Sequence, residues 1–425
     1  MKVSRLQSEK RVDTYNNRGL KIQAYGEFND FPQRIAEIVE ASVTGNACVS
    51  VYTKFIVGRG FADANFCNAV CDSKGMTVDA LLQAVGEDYA RFGGFAIHIN
   101  YNALHEIVSA SHFPFEWLRF EQLDENGQFN RLAAHPDWGR RYTKLRPFKQ
   151  SDIEYFHFFN PDPEVIDSEV EEAGGWNGYK GQILYFSNKG YKVYPTPVFE
   201  AAVTDMSNEE GLSNITQRNV KHNFLPAGMI VDYDNTSNSD EQEKETREEI
   251  REFQGDMNAG KLLYINIKNG EQKPEFVPFV GKNFDKDFEQ AEKKTPQIIG
   301  RAFSQPPILR AEDVGANFGA DLMRNAYDYY NSITESERQI VSRVFKSIFD
   351  LWNDPTINIE KNYDIVPKFY RVNATLAERL GANVEKVLEI LGNASMNERA
   401  KSVILSTVYG IEEDEIDKLL EGMRI

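Results

Sequence analysis

The stretch Asn317–Trp352 places the strongest constraint on this chain. Its apolar residues Leu322, Ala326, Tyr330, Ile333, Ile340, Val344, Ile348 and Leu351 fall along one broad stripe, which predicts a helix of roughly 50 Å with a kink near Ser332–Thr334. Immediately before it stands GRAFSQPPILRAEDVGANFGADL, Gly300–Leu322, with Pro306, Pro307, Gly315 and Gly319 between two helical runs. A solvated linker has no use for Ile308, Leu309, Val314 and Phe318, so this loop is expected to meet something.

Upstream, Pro197 opens a helical run of about 27 residues, or roughly 40 Å. Its middle, DMSNEEGLSN, is too polar for a buried helix and predicts one lying between neighbours or partly in solvent. A compact unit follows: strand GMIVDYD, a helix over about Asp240–Gln254, and strands KLLYINI and EFVPFV. A second helix, about Asp285–Phe303, leads into the loop. Before Tyr194 the chain reads as α+β. A helical stripe (Ile35, Ile38, Val39, Val43) ends at Gly58–Gly60, and a helix over about Val78–Phe92 closes at Gly93-Gly94. FAIHINYN, EIVSASHF, FEWLRFEQLD, IEYFHFFNP and GQILYFSN then alternate as strands. Between the last two, the acidic, glycine-rich DPEVIDSEVEEAGGWNGYKG reads as a surface excursion. After Trp352, YDIVPKFYRV is strand-like. The last fifty residues or so are helical, with Ser395 and Glu398 in capping-box register and Gly410 as a stop.

With 425 residues, 41% of them hydrophobic, the chain can bury a large core divided among about two to four domains. No apolar run suits a signal peptide or a membrane span. Cys48, Cys67 and Cys71 form no disulfide framework, and no fourth ligand has finger-like spacing, so neither a metal nor a cofactor is expected. The net charge of −17 excludes a general nucleic-acid binder. The charge is uneven: Asp232–Asp256 holds ten acidic and three basic residues, whereas Lys282–Arg310 holds six basic and four acidic.

Three apparent motifs dissolve on inspection. His98, His105 and His112 recur every seven residues, a spacing that points strand residues to opposite faces. GDMNAGKL, Gly255–Leu262, lacks the hydroxyl a phosphate loop needs after its lysine and runs from helix to strand instead of strand to helix. Asp232, Asp234, Thr236, Asn238, Asp240 and Glu243 stand in calcium-loop register, but Ser237 replaces the glycine required for the sharp turn. No catalytic constellation emerges, and the chain is not expected to be an enzyme.

The order of parts, a long helix, a small strand-helix-strand-strand unit, a second helix, a Pro/Gly loop and a very long helix, resembles the portal proteins of tailed bacteriophages. YGEFNDFPQRIAEIVEASVTGNACVSVYTKFIVGRGF carries the resemblance, as does IIGRAFSQPPIL followed by ANFGADLMRNAYDYYNSITESERQIVSRVF. It spans roughly Tyr25–Val372. The resemblance implies the α+β phage portal fold: an N-terminal arm and α+β wing (1–194), a stem helix (195–225), a clip (226–283), a second stem helix (284–304), a tunnel loop (305–318), a long wing helix with its return strand (319–372) and a short helical crown (373–425).

It also implies a ring of copies, twelve in such proteins, at one capsid vertex of a virion assembled in the host cytoplasm. Double-stranded DNA would pass through the ring. The partners implied are a terminase large subunit, a head-tail adaptor and a major capsid or scaffold protein, with no membrane. The tunnel-loop residues would be Gln305, Pro306, Pro307, Ile308, Leu309, Arg310, Val314, Gly315, Asn317 and Phe318, with Pro306–Leu309 as an apolar tip that closes on the duplex without gripping phosphates. Lys293, Lys294 and Arg301 would line the channel. Asp240, Glu241, Glu245, Glu248 and Glu249 would form the partner surface of the clip. The rival expectations are an enzyme whose loop is a mobile lid and an acidic scaffold that binds a cellular protein through Asp232–Asp256.

Overall fold

The computed structural model describes residues 14–17, 19–138, 150–190, 192–221, 228–231, 275–278, 284–310, 320–352, 362–370, 384–393, 396–409, 411, 416 and 419–420. The fold is α+β, with two compact units, Met1–Lys368 and Phe369–Ile425.

The first unit is built on a six-stranded sheet ordered β4-β3-β8-β7-β6-β5. Its strands are β3 (Gly94–Tyr101), β4 (Ile107–Phe113), β5 (Leu118–Phe120), β6 (Arg131–Ala134), β7 (Glu154–Phe158) and β8 (Gln182–Ser187). Every neighbouring pair is antiparallel except β7–β8. Parallel neighbours need a crossover connection, and that requirement corrects one expectation. The acidic segment between β7 and β8 is not a surface excursion but a helix, Pro163–Glu172, with Ile166 and Val170 buried. Asp162 caps it by accepting from Glu164 N, and Pro163 occupies its first turn. The segment's few apolar residues hid the helix because only one turn of each face touches the core. A short hairpin, β1 (Thr14–Asn17) with β2 (Ile22–Tyr25), joins the sheet edge through an Ile22–Glu121 bridge.

The helices beside this sheet are α1 (Phe31–Ala41), α2 (Val43–Val57), α3 (Ala64–Asn68) and α4 (Val78–Phe92); the crossover helix is α5. The expected stripe from Ile35 to Val43 is broken at Ser42, whose extended backbone ends α1 and whose side chain accepts from Gly45 N to start α2. Helix α4 keeps its expected bounds, and Gly93 closes it at φ 74, a left-handed conformation that suits glycine. Helix α2 has Cys48, Val49, Tyr52, Phe55, Ile56 and Val57 all buried, as befits a helix surrounded by protein.

Later helices are α6 (Val203–Lys221), α7 (Phe284–Ala302), α8 (Ala320–Ile333) and α9 (Glu335–Phe349). The first stem run is shorter than expected, because Glu200–Ala202 is a 3-10 turn and the α-helix begins at Val203. The long run breaks where the kink was expected, at Thr334. No proline causes the break. Thr334 Oγ1 donates to Tyr330 O at 2.9 Å, and Arg338, a charged residue on the apolar face, donates to Asn331 O, Thr334 Oγ1 and Phe55 O. A side chain that enters the hydrogen-bond ladder bends a helix. The break also shifts the buried stripe. Beyond it Val341, Phe345, Ile348 and Phe349 are buried, while Leu351 is exposed.

The return segment pairs more briefly than a full strand. Phe61 bridges Ile365, Arg59 N and Ala62 N donate to Val366 O and Asp364 O, and Pro367 follows without a donor. Gly58 is indispensable there, since a Cβ would stand 2.2 Å from Val366 O. In the second unit, α10 (Val384–Gly392) and α11 (Glu398–Tyr409) bury Val387, Leu391, Leu405, Ile411 and Ile416 together. Asn397 Oδ1 accepts from Ala400 N at 2.8 Å and is the cap of α11, a role the sequence had assigned to Ser395. Ser395 and Gly410 lie outside the described residues.

Two buried charges lie in the first unit. Arg119, with 0% exposure, donates to Asn29 Oδ1 and O, Gln33 Oε1, Glu116 O and Leu118 O. Burial pulls its pKa down to about 10, so it stays charged at neutral pH. Asp88 on α4 meets His112 on β4 at 2.7 Å. Burial pushes the Asp88 carboxyl up to about 6. Burial is the largest influence on His112 and would lower it, but the hydrogen bond to Asp88 and the charges of Asp88, Glu116 and Glu87 together outweigh it and hold the imidazole above its usual value. Both shifts favour the protonated forms, so their contribution is full below pH 4 and declines as pH rises through about 6 and then through the raised His112 value. Replacing His112 with Ala strands a buried carboxylate. A loss of about 3 kcal/mol is expected at pH 8, and it should shrink below pH 5 as Asp88 takes up a proton; urea unfolding across that range measures it.

Candidate functional site

The candidate site is the region where the α6–α7 pair and the Pro/Gly loop leave the first unit. Helix α6 starts against the core through Val203 and Met206, while α7 ends there through Ile299, followed by Phe303. The two helices pack on each other. Away from the core, Ser213, Asn214, Ile215, Thr216 and Gln217 of α6 and Glu289, Gln290 and Glu292 of α7 are exposed. Farther along, β9 (Gly228–Val231) and β10 (Glu275–Pro278) pair antiparallel, Glu275 opposite Val231. In the single chain the polar middle of the first stem run is partly solvated, with Asn208, Glu210, Ser213 and Asn214 exposed and Met206 buried.

One polar residue in that run has a structural task that sequence reasoning missed. Glu209 accepts from Thr44 N at 3.1 Å, from Thr44 Oγ1 at 2.6 Å and from Ser42 Oγ, all at the N-terminus of α2. Unpaired amides and the helix dipole there favour a carboxylate. Only the tertiary contact distinguishes Glu209 from its neighbour Glu210, which is exposed.

The first part of the tunnel-loop segment is a docked 3-10 turn, Pro307–Arg310. Ile308, expected at an exposed apolar tip, is 5% exposed and sits in the core, and Leu309 packs partly buried against it. This corrects the picture of Pro306–Leu309 as a free tip. The physical reason is that this turn has its own apolar pocket between α2, α7 and α8, where burying a side chain the size of Ile308 contributes about 2 kcal/mol. Gln305 locks the turn: its Nε2 donates to Cys48 O at 2.6 Å and to Tyr330 Oη at 3.0 Å. Tyr330 Oη in turn donates to Phe303 O at 3.2 Å. Arg310 donates to Gln305 O at 2.8 Å and lies where a Cβ on Gly300 would be, 1.6 Å away. Pro306 is half-buried and Pro307 exposed. Val314, Gly315, Asn317 and Phe318 lie outside the described residues, as do Asp240, Glu241, Glu245, Glu248 and Glu249 of the expected clip surface.

Lys293, Lys294 and Arg301 are all exposed on α7. Lys293 pairs with Glu289 at 2.6 Å. Lys294 and Arg301, seven residues apart, share one face with Gln290, Gln297 and the exposed Ile298. The histidines are separate: His98 bonds Lys180 O at 2.6 Å, His105 meets Asp167 and His112 meets Asp88, both at 2.7 Å.

Solved structures similar to this chain include two from gene transfer agent particles and one phage portal. A chain in the virion of the native gene transfer agent particle is 12% identical, covers 89% of this chain and 93% of its own length, and has a TM-score of 0.44. A chain in the neck of the native particle, computed with C12 symmetry, is 14% identical over 88% of this chain and 93% of that one, with a TM-score of 0.42. The HK97-family phage portal protein of Corynebacterium diphtheriae is 10% identical over 74% of this chain and 88% of its own, with a TM-score of 0.38. No protein-family model and no curated protein matches the sequence.

Gln305→Ala removes the donor to Cys48 O and Tyr330 Oη. A loss of about 2 kcal/mol in the unfolding free energy of the purified chain is expected, together with faster proteolytic cleavage at Arg310.

Proposed function

We propose that this chain is the subunit of a ring-shaped portal, a conduit for double-stranded DNA at one vertex of a phage-like capsid. The observation that carries the reading is the α6–α7 pair: both helices are rooted in the α+β unit at one end, solvated towards the other, and separated in the chain by the paired β9 and β10. A polar helix pair of this kind gains little from folding alone and gains partners when copies are set side by side. Among the described residues, α6, β9, β10, α7 and then α8 with α9 occur in the order that the resemblance to portal proteins implies.

Within this reading the role is structural, not catalytic. The α+β unit is the wing, α6 and α7 are the stem, the segment around β9 and β10 is the clip, and the second unit is the crown. Gln305–Arg310 anchors the tunnel loop, and the contact with DNA passes to the following residues, Val314, Gly315, Asn317 and Phe318. The net charge of −17 suits a wall along which a duplex slides, since phosphates are repelled instead of held. The proposed partners are other copies of the chain, the passing DNA, a terminase large subunit, a head-tail adaptor, and capsid or scaffold protein.

Electron microscopy of the purified full-length chain tests the ring. Annular particles with a central hole are expected, and native mass measurement should give multiples of the 48.5 kDa chain, centred on twelve. A strictly monomeric chain under every salt and concentration tried would remove the reading.

A further inference from the structure

The ring reading leaves open which surfaces of neighbouring copies meet, and the helical layer has two unlike edges. Helix α1 packs on α2, α4 and α6, whereas α7 packs on α2 and α6. The two helices therefore flank the α2–α6 pair from opposite sides. On α7 the outward face presents Lys294 and Arg301 with Gln290, Gln297 and Ile298, and neither cation meets a carboxylate among the described residues. On α1 the outward face presents Glu37 and Glu40. Next to it on α4, Arg91 lies 2.8 Å from Glu87 and 3.7 Å from Glu40. Two carboxylates therefore share one guanidinium, and Glu37 has no partner among the described residues. At the end of this edge Val43 is 81% exposed, while Ile298 stands exposed beside the cations of the other.

From these two edges we infer that the acidic α1–α4 edge of one copy docks on the basic α7 face of the next, a head-to-tail contact between copies of this chain. This rests on the ring reading. Three features support a second copy as the occupant. The two edges carry opposite charge excess, each has an exposed aliphatic side chain, and they lie on opposite sides of one rigid layer. A contact between unlike patches is heterologous and closes into a ring when the rotation between copies closes. Complementary charge fixes register and rejects the wrong pairing. Lys294 and Arg301, expected from the sequence to line the channel, are thereby assigned to the joint between subunits.

Charge reversal on each edge tests the assignment. E37K/E40K leaves both edges basic, and K294E/R301E leaves both acidic. Each variant alone should need about tenfold or more protein to form the rings seen with the wild type. Their equimolar mixture, in which unlike edges again meet, should restore even-membered rings, and so should the quadruple variant. Thermal melting of each variant checks its fold. Where a reversal lowers the melting temperature, E37Q/E40Q and K294Q/R301Q replace it, with a smaller loss of assembly expected. Assembly of both single-edge variants at the wild-type concentration overturns the inference and leaves the ring reading intact, as does failure of the mixture and the quadruple variant to assemble. Absence of rings from the wild type itself removes the ring reading and this contact with it.

Discussion

Everything in the first unit hangs on α2 and on three polar contacts made to its backbone. At its N-terminus, Glu209 of the first stem helix takes the hydrogen bonds of Thr44 and Ser42. In its middle, Cys48 O accepts from Gln305 at the root of the loop. Near its end, Phe55 O accepts from Arg338 just past the break between α8 and α9. A helix carbonyl has a second lone pair, so these bonds add to the helix ladder without breaking it. In the interior such bonds are directional, and each fixes the position of a different element. Helix α6, the Gln305–Arg310 turn and the α8–α9 break are thus all referred to one buried post.

That arrangement explains why polar residues do so much in a structure with a large apolar core. Apolar packing of Phe55 against Tyr327 and Tyr330, or of Phe199 against Phe303, gives stability but tolerates sliding. Arg119 and Arg338 do not slide, because each donates to several fixed backbone oxygens at once. Arg338 also makes the break at Thr334 a built feature, satisfying the Asn331 carbonyl there. In the proposed ring, the same fixed geometry in every copy would let its two unlike edges meet in the same way at each joint.

Much of the fold was legible in the letters. Helix α4 with its Gly93 stop, five of the six sheet strands (all but β6), helix α7 and the kink position follow from periodicity and capping chemistry. The crossover helix α5 was not, because Ile166 and Val170 are too few to make a stripe. The apolar character of Ile308 was read correctly as a sign of contact, but not the partner: the residue meets its own core.

The sequence by itself determined the local elements, since hydrophobic spacing, prolines, glycines and caps act over a few residues and are written in order along the chain. It also determined the acidic balance. Tertiary structure alone decided which polar side chains matter. Glu209 and Glu210 are the same residue type side by side, yet only Glu209 faces the N-terminus of α2. The reason is that a charge takes its meaning from what lies within a few ångströms of it, and residues distant in sequence supply that neighbourhood.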